Sequence, residues 1–289
     1  MRPAGDTFNT AAALARASRA LGNPAEVAYV TGLGEDPLSD AIVGAIADQG
    51  LVDASVRMRG HVCGLYLLED GGAMWYWRGD SAARALFRGD DWIPAEDPDL
   101  VFLSLITLQQ MSEDARERTA EWLATIRLRG ATVAFSANHR EAGWPSPDEA
   151  SAAAARIIAG ADLVFASVAD CRALFGSPDP RAALRELTSL GAAEAVVTAG
   201  ADGAFLSADD TQTHVDADAS RRTVDPTGAG DAFAGTYTAW RCAGLPPDDA
   251  GRAAVHIASL TVASEGALPR SGSPEERAID RALTELRPA

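Results

Sequence analysis

Residues 225–233, with the sequence DPTGAGDAF, combine small residues with two carboxylates immediately before an apolar stretch. Small residues let the backbone come close to a ligand, and the open amides of a helix start bind anions. The pattern predicts a turn into a helix, with the amides of Ala229, Gly230 and Asp231 at its positive end. Such a turn can stabilise charge on a transferred phosphoryl group while Asp231 accepts a hydroxyl proton. The residues alone also allow Asp231 to be a first-turn acid that only complements the helix dipole.

Three other kinds of site, two that bind phosphate and one that forms a covalent bond to substrate, are excluded because the chain lacks residues that they need. The chain contains no lysine, so neither a Walker A loop nor a Schiff-base site can form. Gly32-Leu33-Gly34 is followed by Pro37, where a dinucleotide fingerprint needs its third glycine, and Phe233 fills that place in the later run. A dinucleotide-dependent dehydrogenase is therefore not expected.

The charge and composition of the chain limit further which classes of ligand and partner it can bind. The net charge is −16 and the pI is about 4.6, which argues against nucleic acid as a ligand. An anionic ligand must find local positive charge from arginines, backbone amides or metal ions. No apolar run has the length of a membrane span and no secretory signal is present, so we expect a cytoplasmic protein without a membrane partner. The three cysteines are too far apart for a zinc or disulfide framework.

Short apolar runs alternate with helical stretches along most of the chain. Strands are predicted at 27–30, 100–105, 132–135, 163–166 and 195–198. Ser112 and Ser146 are the expected N-caps of two helices that run to about Arg129 and Ala159. This order is typical of an α/β fold with a mostly parallel central sheet flanked by helices.

Residues 53–80 break this alternation. Strands predicted at 55–58, 62–68 and 73–78 follow one another without helices, with a turn at 69–72. An inserted sheet of this kind serves as a lid, as an oligomer contact or as an extension of a sheet edge. We therefore expect one domain over residues 1–289, with a small β-sheet lid inserted at about 53–80.

Residues 225–233 resemble the C-terminal signature of the ribokinase-like (PfkB) carbohydrate kinases, D-T-x-G-A-G-D-x-F. Asp225, the four residues 228–231 and Phe233 match this signature, and Pro226 replaces its threonine. The resemblance implies a ribokinase-like fold and a reaction that uses ATP and Mg²⁺. It also implies that Asp231 is the catalytic base and that Gly228, Ala229 and Gly230 form an anion hole.

Other segments are similar to the ligand-binding loops of this family. Residues 4–9 look like its N-terminal Gly-Gly…Asn turn, which implies sugar contacts from Gly5 and Asn9. Family members place a strand ahead of that turn, so the N-terminal strand is expected to be missing. The resemblance assigns ATP contacts to Ser167, Thr198, Gly200, Gly203 and His256, in addition to the anion-hole glycines, and an indirect metal role to Asp170. By spacing alone, the segments at 167–170 and 200–203 are a helix cap and a β-turn.

Two segments resemble those of the 2-keto-3-deoxygluconate kinases within this family. Tyr76-Trp77-Arg78 looks like their substrate-binding lid motif, and Tyr66 fits their lid tyrosine. Asn138-His139-Arg140 resembles the segment whose arginine holds the substrate carboxylate. A guanidinium binds a carboxylate in a bidentate fork, so Arg78 and Arg140 are predicted to converge on a sugar acid.

The resemblance implies ATP-dependent phosphorylation of the terminal C6 hydroxyl of a sugar acid, with 2-keto-3-deoxygluconate as the first candidate. A kinase of another sugar or of a nucleoside is one alternative. A catalytically impaired relative that binds a sugar or nucleotide is another, because Ser136 replaces an aspartate of the family pattern. Exposed lid strands favour a homo-oligomer formed through the lid.

Overall fold

The computed structural model describes residues 3–68, 74–89, 92–94, 96–177, 179–209, 211–218 and 222–287. The α-helices are α1 (Asp6–Ala20), α2 (Pro37–Asp48), α3 (Ala82–Phe87), α4 (Leu105–Gln110), α5 (Glu113–Leu128), α6 (Pro147–Ile158), α7 (Val168–Phe175), α8 (Pro180–Ser189), α9 (Ala229–Cys242), α10 (Pro247–Thr261) and α11 (Pro274–Glu285). The strands are β1 (Ala28–Tyr29), β2 (Gly32–Leu33), β3 (Val52–Asp53), β4 (Val56–Arg57), β5 (Leu65–Leu68), β6 (Met74–Trp77), β7 (Leu100–Ser104), β8 (Thr132–Ser136), β9 (Leu163–Ser167), β10 (Glu194–Thr198), β11 (Ala204–Ala208) and β12 (Thr211–Val215). None of the helices in these ranges is long and apolar enough to cross a membrane.

The central sheet has six strands in the order β12-β11-β10-β9-β8-β7. Strands β7 to β10 are parallel to one another, whereas β11 and β12 continue the sheet in antiparallel pairs. The four strands predicted to begin at residues 100, 132, 163 and 195 are these parallel strands, with ends that differ by one residue or less. The expected mostly parallel sheet with flanking helices is confirmed.

Both faces of the central sheet are covered. In β8, Val133 and Phe135 pack with helices α4 to α8, while Ala134 between them packs with α1, α9, α10 and α11 on the other side. Successive side chains of a strand point to opposite faces, so a strand buried on both sides is a continuous apolar run. This explains why the parallel strands were recognisable in the sequence.

Side-chain caps begin several helices as predicted. Ser112 caps α5, and Ser146 accepts a hydrogen bond from the Glu149 amide at the start of α6. The Glu149 carboxylate lies 2.7 Å from Nη1 of Arg116. Ser146 is thus the N-cap as predicted, and the glutamate serves an ion pair between α5 and α6.

The N-terminal third of the chain departs from the predicted pattern. The strand predicted at 27–30 is reduced to β1, which pairs with β3 in a separate two-stranded sheet. Strand β4 pairs with β2 and not with β5, and Val62 forms only an isolated bridge with Ser81. The three predicted strands are present without helices between them as the shorter β4, β5 and β6, but only β5 and β6 pair with each other, in a two-stranded antiparallel sheet. The turn predicted at 69–72 lies outside the described residues.

A buried carboxylate secures the C-terminal half of α9. Glu194 begins β10 and is buried, and Arg241 donates to it from Nε at 3.0 Å and from Nη2 at 2.9 Å. The hydroxyl of Tyr237 donates to the same carboxylate. A buried charge is costly unless it is paired and hydrogen-bonded, and this one is fully engaged. The cluster ties the last turns of α9 to the amino end of β10.

Candidate active site

Several of the predicted ligand-binding residues lie at the carboxyl edge of the parallel strands. Residues 137–140 follow β8, Ser167 ends β9 and Thr198 ends β10. Open α/β sheets bind ligands in the crevice outside this edge. The hydroxyl of Thr198 lies 3.5 Å from the carbonyl oxygen of Ala166, so these neighbouring strand ends are also joined by a side chain.

Gly228 forms the sharp turn before α9. Its φ is +81°, a left-handed conformation that favours glycine, and a Cβ there would lie 2.5 Å from Cα of Ala267. The cap supplies no side-chain hydrogen bond to the first turn of α9. The Ala229 amide donates to the carbonyl of Pro226 at 3.3 Å, so the amides of Gly230 and Asp231 remain available for an anion.

The segment before this turn is a loop tied to the end of α10. The amides of Val224 and Asp225 both donate to the carbonyl of Val262, at 2.7 and 3.1 Å. The Asp225 carboxylate accepts hydrogen bonds from the amides of Thr227 and Gly266, each at 2.9 Å. Burial opposes ionisation of Asp225, but these hydrogen bonds keep its pKa below the usual value. An ionised Asp225 therefore fixes the turn that carries the amides.

Asp231 lies against Asn9 of α1. Gly235 permits this contact, because a Cβ there would lie 2.4 Å from the carbonyl oxygen of Thr10 where the two helices cross. Nδ2 of Asn9 donates to Oδ2 of Asp231 at 2.8 Å. Within the described residues, the buried Oδ1 of Asn9 has no hydrogen-bond partner. This oxygen can accept a hydrogen bond from a ligand hydroxyl.

Asp6 is a second carboxylate beside Asp231, at the start of α1. Gly5 is the N-cap of α1, and Asp6 is the first helical residue. Oδ2 of Asp6 accepts a hydrogen bond from Nδ2 of Asn138 at 3.2 Å. Burial and the charge of Asp6 raise the pKa of Asp231 to about 7, although the Asn9 hydrogen bond and the charge of Arg140 act in the opposite direction. Asp231 can therefore exchange a proton near neutral pH.

One face of the β5–β6 sheet is turned toward Asp231. Tyr66 and Tyr76 are paired across the two strands with ring centroids 6.3 Å apart, and the Arg78 guanidinium lies 4.4 Å from the centre of the Tyr76 ring. Burial and Tyr76 raise the pKa of Tyr66, and the charges of Asp231 and Asp225 raise it further. Trp77 alternates to the other face and is 61% exposed, so the structure does not bring it to this site.

Arg78 and the backbone of Arg140 are linked through Gln109, a residue that nothing in the sequence singled out. Nη2 of Arg78 donates to Oε1 of Gln109 at 3.2 Å, and Nε2 of Gln109 donates to the carbonyl of Arg140 at 2.8 Å. Burial lowers the pKa of Arg78, and the charge of Arg140 lowers it further against the pull of Tyr76 and Asp6. Because arginine stays charged at any physiological pH, the site holds two neighbouring cations.

Ser167 and Asp170 form a complete capping box where β9 leads directly into α7. Oδ2 of Asp170 accepts from the amide and hydroxyl of Ser167, whose Oγ accepts from the Asp170 amide. Oδ1 of Asp170 accepts from the His139 amide at 2.9 Å and so holds the loop after β8. Both carboxylate oxygens of Asp170 are thus engaged with the protein.

The predicted G-x-x-G loop follows β10. Gly200 and Gly203 have φ values of +59° and +81°, and a Cβ on Gly203 would lie 2.0 Å from the carbonyl oxygen of Val215. His256 lies on α10 with Nδ1 3.6 Å from Oδ2 of Asp218. No group of three or more His, Cys, Asp or Glu residues that could hold a metal ion occurs in the described part of the chain.

Comparisons with known proteins point to a family of carbohydrate kinases. The family model described as pfkB family carbohydrate kinase matches residues 1–274. The chain is 30% identical to 2-dehydro-3-deoxygluconokinase of Escherichia coli K12, over 93% of this chain and 91% of that protein. It is 32% identical to 2-dehydro-3-deoxygalactonokinase of Haloferax volcanii, over 86% and 78% of the two chains.

The fold also matches solved structures of this class. One is aminoimidazole riboside kinase from Salmonella enterica complexed with aminoimidazole riboside and an ATP analog, with a TM-score of 0.81 at 24% identity, covering 98% of this chain and 92% of that one. This likeness confirms the ribokinase-like fold. The family match over residues 1–274 and the 30% identity to a kinase over most of the chain mean that the chain belongs to the pfkB family of carbohydrate kinases and is a phosphotransferase that acts on a sugar.

Proposed function

We propose that this sugar kinase uses ATP to phosphorylate the C6 hydroxyl of 2-keto-3-deoxygluconate. The observation that supports the proposal is that two arginines lie near Asp231: the charge of Arg140 acts on Asp231, and Arg78 is linked through Gln109 to the backbone of Arg140. A neutral sugar needs hydroxyl partners only, whereas paired guanidinium groups suit a carboxylate. The similarity to a kinase named for 2-dehydro-3-deoxygluconate supports the same substrate class.

The proposed reaction proceeds with the sugar carboxylate on Arg78 and Arg140 and the C6 hydroxyl beside Asp231. Asn9 occupies one oxygen of Asp231, so the other oxygen can accept the hydroxyl proton. The C6 oxygen then bonds to the γ-phosphorus of ATP as the bond from that phosphorus to ADP breaks. The amides of Gly230 and Asp231 stabilise the charge on the transferred group.

Mg²⁺ fits this site through an indirect contact. Mg²⁺ keeps several water ligands and is commonly bound by substrate phosphates with one or two carboxylates. Both oxygens of Asp170 already accept hydrogen bonds from the protein, so Asp170 would orient a metal-bound water without entering the inner coordination sphere. When bound with ATP, the ion would neutralise charge on the phosphate oxygens.

A second candidate substrate is the galactonate-derived epimer, 2-keto-3-deoxygalactonate. It is favoured by the similarity to a kinase named for that acid, and its carboxylate would use the same two arginines. Release of ADP should be measured with both acids, fructose, ribose and a nucleoside. We expect kcat/KM for one of the acids to exceed every neutral acceptor by at least about tenfold. A preferred neutral acceptor would contradict the proposal, and binding without ADP release would favour a catalytically impaired relative.

The pH dependence of kcat/KM gives a test of Asp231 and Asp6. Asp231 must be ionised to accept a proton, so activity should fall below a midpoint near its pKa of about 7. Asp6→Asn removes a neighbouring negative charge, and we expect it to move this midpoint down by about 0.5 to 1 pH unit. Asp249→Asn, which removes an equal charge from an exposed ion pair on α10, should leave the midpoint unchanged. An upward shift with Asp6→Asn would contradict the assignment.

We further infer that the outward face of the β5–β6 sheet joins two copies of the chain. This face carries Leu65, Leu67, Trp75 and Trp77, whose exposed fractions range from 37% to 61%. Contiguous large apolar side chains at a surface favour association with another protein. We therefore propose a homodimer formed through this face.

Replacement of Trp77 tests the dimer. We expect light scattering to give a dimer for the wild type and a monomer for Trp77→Arg at micromolar concentration, because a charge in an apolar interface must be desolvated. Leu128→Arg on α5 is the control, since Leu128 is 91% exposed and isolated from this face. A monomeric wild type, or a dimeric Trp77→Arg variant, would rule out this interface.

A further inference from the structure

Gln109 connects two parts of the site that are distant in sequence. It lies on α4, is only 4% exposed, and is separated by 31 residues from both Arg78 and Arg140. Its side-chain oxygen accepts from the Arg78 guanidinium and its side-chain nitrogen donates to the Arg140 carbonyl. An amide side chain offers an acceptor and a donor at a fixed separation, which few other side chains do.

The surroundings of Gln109 are fitted to this bridge. A Cβ on Gly143 would lie 2.1 Å from Cδ of Gln109, so the loop that carries Arg140 closes directly over the amide. The adjacent Gln110 is also buried on α4, yet its Oε1 has no hydrogen-bond partner within the described residues. A glutamine can therefore be buried on α4 without hydrogen bonds to both the oxygen and the nitrogen of its side-chain amide.

Arg78 and Arg140 carry like charges, which gives a physical reason for a side chain that links them. The charge of Arg140 disfavours the charge of Arg78, so the two guanidinium groups repel one another in the absence of an anion. We propose that Gln109 is a positioning residue that holds the Arg78 guanidinium beside the backbone of Arg140, so that both arginine side chains can reach one sugar carboxylate. This inference rests on the proposed function, because the carboxylate is the group that the two arginines would bind. It makes Gln109 a determinant of the preference for an acid over a neutral sugar.

The test compares two acceptors that differ only at C1. One is 2-keto-3-deoxygluconate, and the other is 3-deoxyfructose, which carries a hydroxymethyl group in place of the carboxylate. We expect Gln109→Met to lower kcat/KM for the acid about tenfold and for 3-deoxyfructose less than twofold. For the acid, KM should rise while kcat and the KM for ATP stay within about twofold.

Two further variants complete the design. Gln110→Met makes the same change one residue away and should alter neither acceptor. Gly143→Ala displaces the Gln109 amide without removing it, and should give the same selective loss as Gln109→Met. An equal loss for both acceptors would reduce Gln109 to a general structural role, and no loss for the acid would also overturn the inference.

Failure of this inference can be told from failure of the proposed function. If the wild type uses 3-deoxyfructose as well as it uses the acid, then the proposed substrate class is wrong. If the wild type prefers the acid and Arg140→Ala removes the preference while Gln109→Met keeps it, then only the positioning role is wrong.

Discussion

Replacement of Asp231 by asparagine is expected to lower kcat by about 10²- to 10⁴-fold, the usual contribution of a positioned general base. Asparagine has nearly the same shape and can still accept the hydrogen bond that Asn9 donates at 2.8 Å. It cannot take a proton from the C6 hydroxyl at neutral pH. Release of ADP under saturating ATP and sugar acid measures the effect.

Folding should survive this substitution. Burial raises the pKa of Asp231 from 3.8 to about 7, so the folded state binds this proton more tightly than the unfolded state does. The carboxylate therefore destabilises the fold progressively as the pH rises from about 4 to about 7, and the full cost is present above that range. The asparagine variant lacks this cost, and its Tm at pH 8 should equal or exceed that of the wild type. Retention of more than a tenth of the wild-type kcat would remove Asp231 from the role of base.

Arg140→Ala is expected to raise KM for the sugar acid by about 100-fold, because a charge-assisted contact to the carboxylate is lost. The KM for ATP and kcat should change by less than about threefold, since the substitution leaves the first turn of α9 intact. Initial rates over a range of acid concentration, at saturating ATP, measure the effect.

Two variants control for charge and for general damage. Arg140→Lys keeps the positive charge but loses the planar fork, so its KM should lie between those of the wild type and the alanine variant. Arg156→Ala removes an arginine from an exposed ion pair with Glu117 and should leave KM unchanged. An equal rise in KM for 3-deoxyfructose would show that Arg140 acts on something other than the carboxylate.

Local patterns in the sequence were sufficient for the four parallel strands of the central sheet and the start of α9. A strand buried on both faces is a continuous apolar run, as in 163–166, and a serine N-cap such as Ser112 marks a helix start within a few residues. The turn at Gly228 was also predictable from its own residues, because it needs a left-handed backbone conformation that favours glycine.

Features that depend on distant residues were not predictable in this way. Strands β2 and β4 have two residues each, too few to display a period, so their pairing was missed. Gln109 has no local signal, because its two partners lie 31 residues away on either side. Trp77 is different, since alternation along β6 already separates it from Tyr76 and Arg78, and period-two reasoning would have assigned it to the opposite face.

Helix α9 is clamped at both ends. Gly228 presses against Ala267 at its start, and Glu194 binds Tyr237 and Arg241 near its finish. A helix held at both ends cannot shift along its own axis, so the amides in the first turn of α9 keep a fixed position. Among the described residues, the β5–β6 sheet shares no strand pairing with the central sheet. If the β5–β6 sheet closes over a bound sugar as a lid, it would therefore carry the sugar toward a phosphate group that is held in a fixed position at the start of α9.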